Sequence, residues 1–328
     1  MTDVTAVVLN WNQPDYTIRA VGALVDDGVP ASRIVVVDNG SDDGSWDRFR
    51  EALSFCHLVR IEQNLGFARG NNVGARVLPA AAYLFVNSDA FVHLPGSVRA
   101  LLNALDREET GIVVPRLLNE DLTLQPLALP APHPGSALVR WSGLSGLVPN
   151  RFQPHWGTRW DHATSREIEM AAPGAVLLVR GSLWDALGGF TESSFMYAEE
   201  QDLCLRARRR GFAVWFCAEA EFVHVGGAST AWDAAATAER KGSANAALVR
   251  AHLSPRRAAI TLAVVRAGLA GRLAVRRLTG DRDAAAELAG SLRGYGSPDT
   301  GGAEEAPTGA GDVVVLEPEG AAPEGVHG

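Results

Sequence analysis

The chain has few cysteines, no surplus of basic residues and no long uninterrupted apolar run, and each shortage narrows what it can be. Its three cysteines, Cys56, Cys204 and Cys217, form neither a spaced metal-ligand pair nor the even set of a disulfide framework. That points to a reducing compartment, with the cytoplasm as default. A formal charge of −8 over 328 residues disfavours a nucleic-acid binder, because neutralising phosphates takes a concentrated excess of Arg and Lys. The opening MTDVTAVVLNWNQ lacks a basic flank and its apolar run is too short for a signal peptide. No later window reads as long enough to span a bilayer, so the chain is expected not to cross one. The glycine-rich turns match neither the dinucleotide fingerprint nor the P-loop, which argues against a dehydrogenase or an ATPase. No repeat of fixed period is present.

What is there is an ordinary globular composition, 47% hydrophobic and 21% charged, enough to bury a large core. Short β-branched runs recur at 4–10, 33–39, 57–64, 83–89 and 111–115. They alternate with helically spaced segments near 14–26, 45–54, 67–78 and 96–105. This alternation predicts an α/β fold with a parallel sheet covered on both faces. Several of these strands end in polar residues, Asn10, Asp38 with Asn39, and Asn87 with Asp89. In open α/β sheets the ligand crevice lies beyond the carboxyl ends of the strands, so these side chains are expected on one rim.

Proline-rich residues 116–172 read as irregular loop with at most a short hairpin. Strand, helix and glycine stop are expected over 174–190, a helix over 198–212 and a strand at 213–217. The domain reading is a catalytic unit over 1–232, an Ala- and Arg-rich helical extension over 233–295, and an unstructured tail over 296–328.

Each polar cluster has a bland and a chemical reading. In VVVDNGSDDGS, Asp38 is either a turn residue or a carboxylate that accepts the ring N–H of a pyrimidine. In NLGFARGNNVGA, the glycines serve helix packing, or Gly66 and Gly70 let a phosphate approach the helix start with Arg69 adding charge. Asp89 is either a cap residue or one oxygen ligand of a hard divalent cation, which keeps positions for water and substrate phosphates. Glu199, Glu200 and Asp202 complement a helix dipole, or include a carboxylate of raised pKa suited to act as a general base. His224 is either structural or a metal ligand, should its strand return beside Asp89.

Taken together and in order, VVLNWNQPDYTIRAVGAL, VVVDNGSDDGS, NLGFARGNNVGA, LFVNSDAFV, PGAVLLVRGSLWDALGGF, FMYAEEQDLCLRARRRGF and HVGGAST resemble the family 2 glycosyltransferases, in particular their rhamnosyltransferase-like branch. The resemblance covers about residues 4–230. It implies a glycosyltransferase A type fold, a Rossmann-like mixed sheet flanked by helices that binds a nucleotide sugar. It further implies Mg²⁺ or Mn²⁺ and inversion at the anomeric carbon. By position, Asn10, Asp38, Asn64, Gly66, Arg69, Asn71, Asn87 and Ser88 match the nucleotide-sugar side, and Asp89 and His224 the metal ligands. Glu199 and Glu200 match the paired acids, the second being the catalytic base, and Gly174, Ala175 and Asp202 belong to the donor and acceptor loops.

Two positions depart from the family pattern: Asn87 stands where a second Asp is usual, and Glu200 where the base is commonly Asp. The implied partners are a dTDP- or UDP-sugar donor, with dTDP-L-rhamnose first, and a glycan, lipid-linked or small-molecule acceptor whose pocket would lie in 116–172. The C-terminal arginines fit peripheral contact with the inner face of a membrane or a homodimer interface. A non-catalytic sugar-nucleotide sensor is the alternative reading.

Overall fold

The computed structural model describes residues 3–141, 160, 162–192, 196–226, 234–297 and 313–319. Its first part alternates as the periodicity predicts: β1 (Val4–Asn10), α1 (Pro14–Asp26), β2 (Ile34–Asn39), α2 (Ser45–Ala52), β3 (His57–Ile61), α3 (Phe67–Val77) and β4 (Ala82–Asn87). β5 (Ala90–Val92), α4 (Ser97–Leu105) and β6 (Thr110–Leu118) follow. β1, β2 and β4 are buried nearly throughout, as strands covered on both faces must be. α1 opens on Pro14, whose missing N–H costs nothing in a first turn.

The middle of the chain is more ordered than its prolines suggest. β7 (Leu124–Gln125) forms a hairpin with β6, β8 (Ala128–Leu129) precedes α5 (Pro134–Trp141), and β9 (Arg166–Ile168) leads to β10 (Met170–Ala171), which pairs with β8. β11 (Val176–Arg180), α6 (Gly181–Leu187), α7 (Glu199–Arg209) and β12 (Ala213–His224) complete the sheet region. β12 is one long strand with an irregularity between Cys217 and Glu221, where the sequence suggests two separate runs. A bulge keeps both halves paired with β6 while shifting register.

With β13 (Val313–Leu316) at one edge, the main sheet has the order β13-β3-β2-β1-β4-β11-β6-β12-β5. β1 to β4 are parallel, as expected, whereas β11 is antiparallel to both β4 and β6. The wholly parallel expectation fails there for a geometric reason. Parallel neighbours need a crossover past the sheet, whereas β11 begins at the end of the sheet where β6 ends.

Beneath β4, the rings of Phe85, Trp184 and Phe190 pack with centroids 4.6 to 5.1 Å apart. This cluster joins the sheet to α6, and truncating Phe190 to Ala would cost about 3–5 kcal/mol. Gly70 and Gly74 of α3 press on β1, where an added Cβ would lie 2.5 Å from Leu9 and Val7 respectively. Gly70 therefore serves packing rather than approach to a phosphate.

Three helices follow the sheet: α8 (Ala234–His252), α9 (Pro255–Leu278) and α10 (Arg282–Gly296). α9 corrects the expectation that no window could span a bilayer. Its 24 residues include an 18-residue window of mean hydropathy 1.6, of which 28% is buried. Arg266 and Arg272 interrupt the run in the sequence, and it is by length and mean hydropathy alone that α9 is long and apolar enough to span. The tail expectation is also corrected in part, because β13 (Val313–Leu316) pairs antiparallel with β3. β3 would otherwise be an open edge, and a Val-rich segment satisfies its free backbone groups.

Candidate active site

A cavity of about 250 Å³ opens at the carboxyl ends of β1, β2 and β4. Parallel pairing aligns Asn10 with Asp38 and Leu9 with Asn87, so the polar strand ends meet at one rim. Asn10 is fully buried. It donates to Asp38 Oδ1 at 3.2 Å and to Ser41 Oγ at 3.0 Å, and accepts from Thr17 Oγ1 at 2.8 Å. Asp38 keeps its second oxygen, Oδ2, buried without a hydrogen bond. Burial raises its pKa against the opposing hydrogen bonds of Ser41 and Asn10. An unsatisfied carboxylate oxygen of this kind accepts a ligand N–H at a net gain.

Asn39, expected on the rim as a polar strand end, lines the cavity. Its amide donates to Asn64 Oδ1 at 2.9 Å and its carbonyl accepts from Leu65 N at 3.0 Å, which fixes the loop bearing Gly66. Trp11, Phe67 and Tyr197 are further lining residues absent from the sequence reading. Aromatic and turn residues carry no local signal of which way they face.

Asp38, fully buried, is not among the residues lining the cavity, and two further expected nucleotide contacts point elsewhere. Arg69 does not line the cavity, and its guanidinium lies 3.4 Å from Glu192. Asn71 is buried and donates to Phe67 O at 3.0 Å within its own helix. The azimuth of α3 decides both, since the residues of one helical turn cannot share one face.

On the opposite wall β5 pairs antiparallel with β12, setting His224 opposite Ala90 and therefore beside Asp89. His224 Nε2 stands 3.5 Å from Asp89 Oδ1, and Asp89 Oδ2 accepts from Gly226 N at 3.1 Å. The other ring nitrogen of His224, Nδ1, lies 2.8 Å from Gln125 Oε1. A directed chain sets the polarity of that contact: Gln125 Nε2 donates to Asn119 Oδ1, Asn119 Nδ2 to Thr123 Oγ1, and Thr123 Oγ1 to Asp121. The Gln125 oxygen thus faces His224, so Nδ1 carries the proton and the Nε2 lone pair faces the cavity. Asn87 Oδ1 is buried there without a partner, and Ser88 Oγ lies 3.5 Å from Gln13 Oε1.

Among the described residues no cluster of three or more His, Cys, Asp and Glu gathers as a metal centre. A carboxylate oxygen, an imidazole lone pair and an orphaned amide oxygen nonetheless fit a hard divalent cation that takes its remaining ligands from water and phosphates.

The third wall is the start of α7. Tyr197 and Ala198 hold φ of 78° and 68°, two consecutive left-handed non-glycine residues whose strain the surrounding packing must offset. They deliver Glu199 and Glu200 into the cavity, each 7% exposed. Burial, then the neighbouring Glu200, pushes Glu199 well above the usual carboxylate range. Burial pushes Glu200 up to about 7 against opposing hydrogen bonds from backbone groups including Gly174. Gly174 lines the cavity, and an added Cβ there would lie 2.7 Å from the Cβ of Glu200.

Ala175, by contrast, is buried outside the cavity and accepts from Asn87 N at 2.8 Å. Asp202 also turns away from the cavity. It accepts from Thr191 Oγ1 at 2.6 Å and Arg206 Nε at 2.6 Å, and meets His252 Nε2 at 2.7 Å. The upward push of burial is outweighed by these partners, His252 foremost, and its pKa falls to about 2. Two helical positions past Glu200, it faces the C-terminal helices and ties them to α7. Residues 142–159, part of the 116–172 stretch expected to hold the acceptor pocket, and 227–230 of HVGGAST lie outside the described residues.

Comparison with known proteins places this arrangement. The chain is 27% identical over 236 residues to the low-salt glycan biosynthesis hexosyltransferase Agl10 of Haloferax volcanii, covering 68% of this chain and 67% of that protein. It is 27% identical over 250 residues to the N-acetylglucosaminyl-diphospho-decaprenol L-rhamnosyltransferase of Mycobacterium tuberculosis, covering 72% of this chain and 80% of that one. Among solved structures, the mannosyltransferase PcManGT from Pyrobaculum calidifontis, in complex with GDP-Man and Mn²⁺, superposes with a TM-score of 0.54 at 16% identity over 89% of this chain and 86% of that chain. TarS of S. aureus superposes with a TM-score of 0.50 at 14% identity over 81% of this chain and 43% of that chain. These likenesses identify the fold as glycosyltransferase A type. A family model described as Glycosyl transferase family 2 matches residues 5–158, so that part of the chain carries a family 2 glycosyltransferase domain.

Proposed function

We propose that this enzyme transfers a sugar from a nucleoside-diphosphate donor to an acceptor hydroxyl with inversion, using Glu200 as base. The observation that carries the reading is a buried carboxylate, raised to about 7, sharing one cavity with the Asp89–His224 pair. A base titrating near the working pH combines an ionised population with real affinity for the proton it must take.

The acceptor O–H gives its proton to a Glu200 oxygen while the acceptor oxygen bonds the anomeric carbon from the face opposite the diphosphate. The bond from that carbon to the diphosphate breaks, and its electron pair leaves with the nucleotide. Asp38 Oδ2 accepts the ring N–H of a pyrimidine base, with Asn39 and Asn64 holding the loop beside it. Glu199, kept protonated by burial and by its neighbour, spares the donor a further negative charge. Asp89 and His224 would hold a divalent cation, Mg²⁺ or Mn²⁺, whose chemistry when bound is Lewis-acid neutralisation of the departing diphosphate.

The donor proposed first is dTDP-L-rhamnose, supported by the likeness to an L-rhamnosyltransferase; UDP-sugars come second. The acceptor proposed is a diphosphate-linked lipid glycan, again by that likeness. A site for its lipid is supported by α9, whose sequence has no Asp or Glu but six arginines, Arg256, Arg257, Arg266, Arg272, Arg276 and Arg277. Ile260, Val275 and Leu278 are exposed beside them. An apolar, basic face of this kind suits the surface of an anionic bilayer.

Thermal-shift measurements with dTDP-L-rhamnose and UDP-sugars in Mn²⁺ should raise Tm for one donor, and that donor should yield a product of inverted anomeric configuration by NMR. A retained configuration, or no stabilisation by any nucleotide sugar, would reject the reading. Sedimentation with phosphatidylglycerol vesicles tests the membrane contact; a dimer in solution that leaves vesicles unbound points to a protein interface instead.

A further inference from the structure

Lys241 is the one lysine among the 30 basic residues of the chain, and it lies in α8, outside the residues matched by the family model. It nonetheless lines the cavity that holds Asp89, Glu199, Glu200 and His224. Its ammonium rests 5.2 Å from the centroid of the Tyr197 ring. Among the described lining residues it is the only side chain cationic at every working pH; no arginine lines the cavity.

The packing of α8 holds it there. Gly242 turns to α10, where an added Cβ would lie 2.7 Å from Ser291 O, and Cβ atoms at Gly290 and Gly294 of α10 would lie 2.1 Å from Ala235 O and Glu239 O. The two helices meet backbone to backbone, which sets the azimuth of α8. At its far end His252 bonds Asp202 of α7, the helix that bears Glu199 and Glu200.

The charges of the cavity make this placement informative. Asp89 and Glu200 surround a space meant for a diphosphate, and a polyanion entering it needs cationic compensation beyond one metal ion. An ammonium on a flexible stem is a compact point charge with three donors, suited to phosphate oxygens. Its present neighbour, an aromatic face, holds a cation weakly and releases it readily.

We propose that Lys241 is a phosphate-binding residue of this cavity, its ammonium moving from the Tyr197 ring onto a diphosphate oxygen. The diphosphate is that of the nucleotide donor or that of a lipid-linked acceptor, and the inference rests on the reading of the cavity as a nucleotide-sugar site.

Because the chain has a single lysine, amine chemistry tests the proposal directly. The full chain is acylated with an amine-directed reagent and the rate at Lys241 is followed by peptide mass spectrometry, with the N-terminal amine as internal control. Saturating dTDP or UDP with Mn²⁺ should slow labelling of Lys241 severalfold and leave the control unchanged if the donor supplies the phosphate. Protection by farnesyl diphosphate alone assigns it to the acceptor. Binding is followed in parallel by calorimetry. Binding of either ligand with no protection of Lys241 by any overturns the proposal and leaves the nucleotide-sugar reading intact, whereas failure of both to bind overturns both. Lys241→Met should weaken dTDP or UDP binding about tenfold, the loss of one charge-assisted hydrogen bond, with no change for the nucleoside, and Lys241→Arg should restore most of it. Equal weakening of nucleoside and diphosphate would mark a merely structural role.

Discussion

Glu200 and Asp202 stand two residues apart at the start of α7, yet one faces the cavity at about 7 and the other faces the C-terminal helices at about 2. Burial pushes both upward. The difference lies in the partners. Asp202 meets a hydroxyl, a guanidinium and an imidazole, whereas Glu200 has mainly backbone donors and the acidic Glu199 beside it. One face of the helix is thus a structural clamp, and the other carries the carboxylate proposed as the base. Their linkages to pH have opposite sign. Glu200 is raised from its ordinary 4.5, so the folded state binds its proton more tightly and stability falls as pH rises from about 4.5 to 7. Asp202 is lowered from its ordinary 3.8, so its contribution is complete above that value and is lost as pH falls toward 2.

Glu200→Gln should break the cavity side of this contrast most completely. Transfer should fall about 10³-fold, within the range for losing a general base, while stability at pH 8 equals or exceeds that of the parent because a buried charge is gone. Full activity would remove Glu200 from the mechanism. In the parent, kcat/KM should rise with pH and level off above about 7; a profile flat from pH 5 to 9 contradicts that role.

Gly174→Ala perturbs the same carboxylate without touching its charge. The added Cβ would displace Glu200, and a misplacement of about 1 Å can cost roughly 10²-fold in kcat. Nucleotide affinity should hold, so an equal loss in Kd would mean that the substitution disturbed the whole rim.

The structural face is tested by Asp202→Asn, expected to lower unfolding free energy by about 2 kcal/mol at pH 7 in denaturant titrations. The difference from the parent should shrink as pH approaches 2. Activity at low temperature should change far less than in Glu200→Gln; a comparable loss would erase the distinction between the faces.

The smallest effect is expected opposite α7. Gln125→Leu removes the acceptor that holds the His224 proton on Nδ1, and Mn²⁺ affinity should fall about tenfold, as is usual when such a supporting contact is lost. Imidazole ¹⁵N shifts should report the tautomer change without metal, and an unaltered spectrum would dismiss the hydrogen-bond chain as the cause.

Much of this contrast was invisible along the chain, since Glu199, Glu200 and Asp202 read as one acidic cluster. Strands such as VVLN and IVVVDN were legible because β-branched runs and polar ends are local patterns, and parallel pairing then carries those ends to one rim. Arg69, Asn71 and Asp202 were placed with the site because sequence proximity says nothing about helix azimuth. Trp11, Phe67 and Tyr197 were missed because nothing in their immediate neighbours distinguishes a residue that lines a cavity from one in a turn. The reach of β13 to β3 and the single course of β12 depended on pairings between distant segments.

Local periodicity and short ordered motifs already carry the alternation of strands and helices, the resemblance to family 2 glycosyltransferases, and the acids and amides at strand and helix ends. Long-range packing alone brings His224 to Asp89 through the β5–β12 register, leaves at Gly174 the room Glu200 occupies, and carries Lys241 to the cavity from α8. Each of these depends on distances between segments far apart in the chain, set by the packing of sheet and helices together.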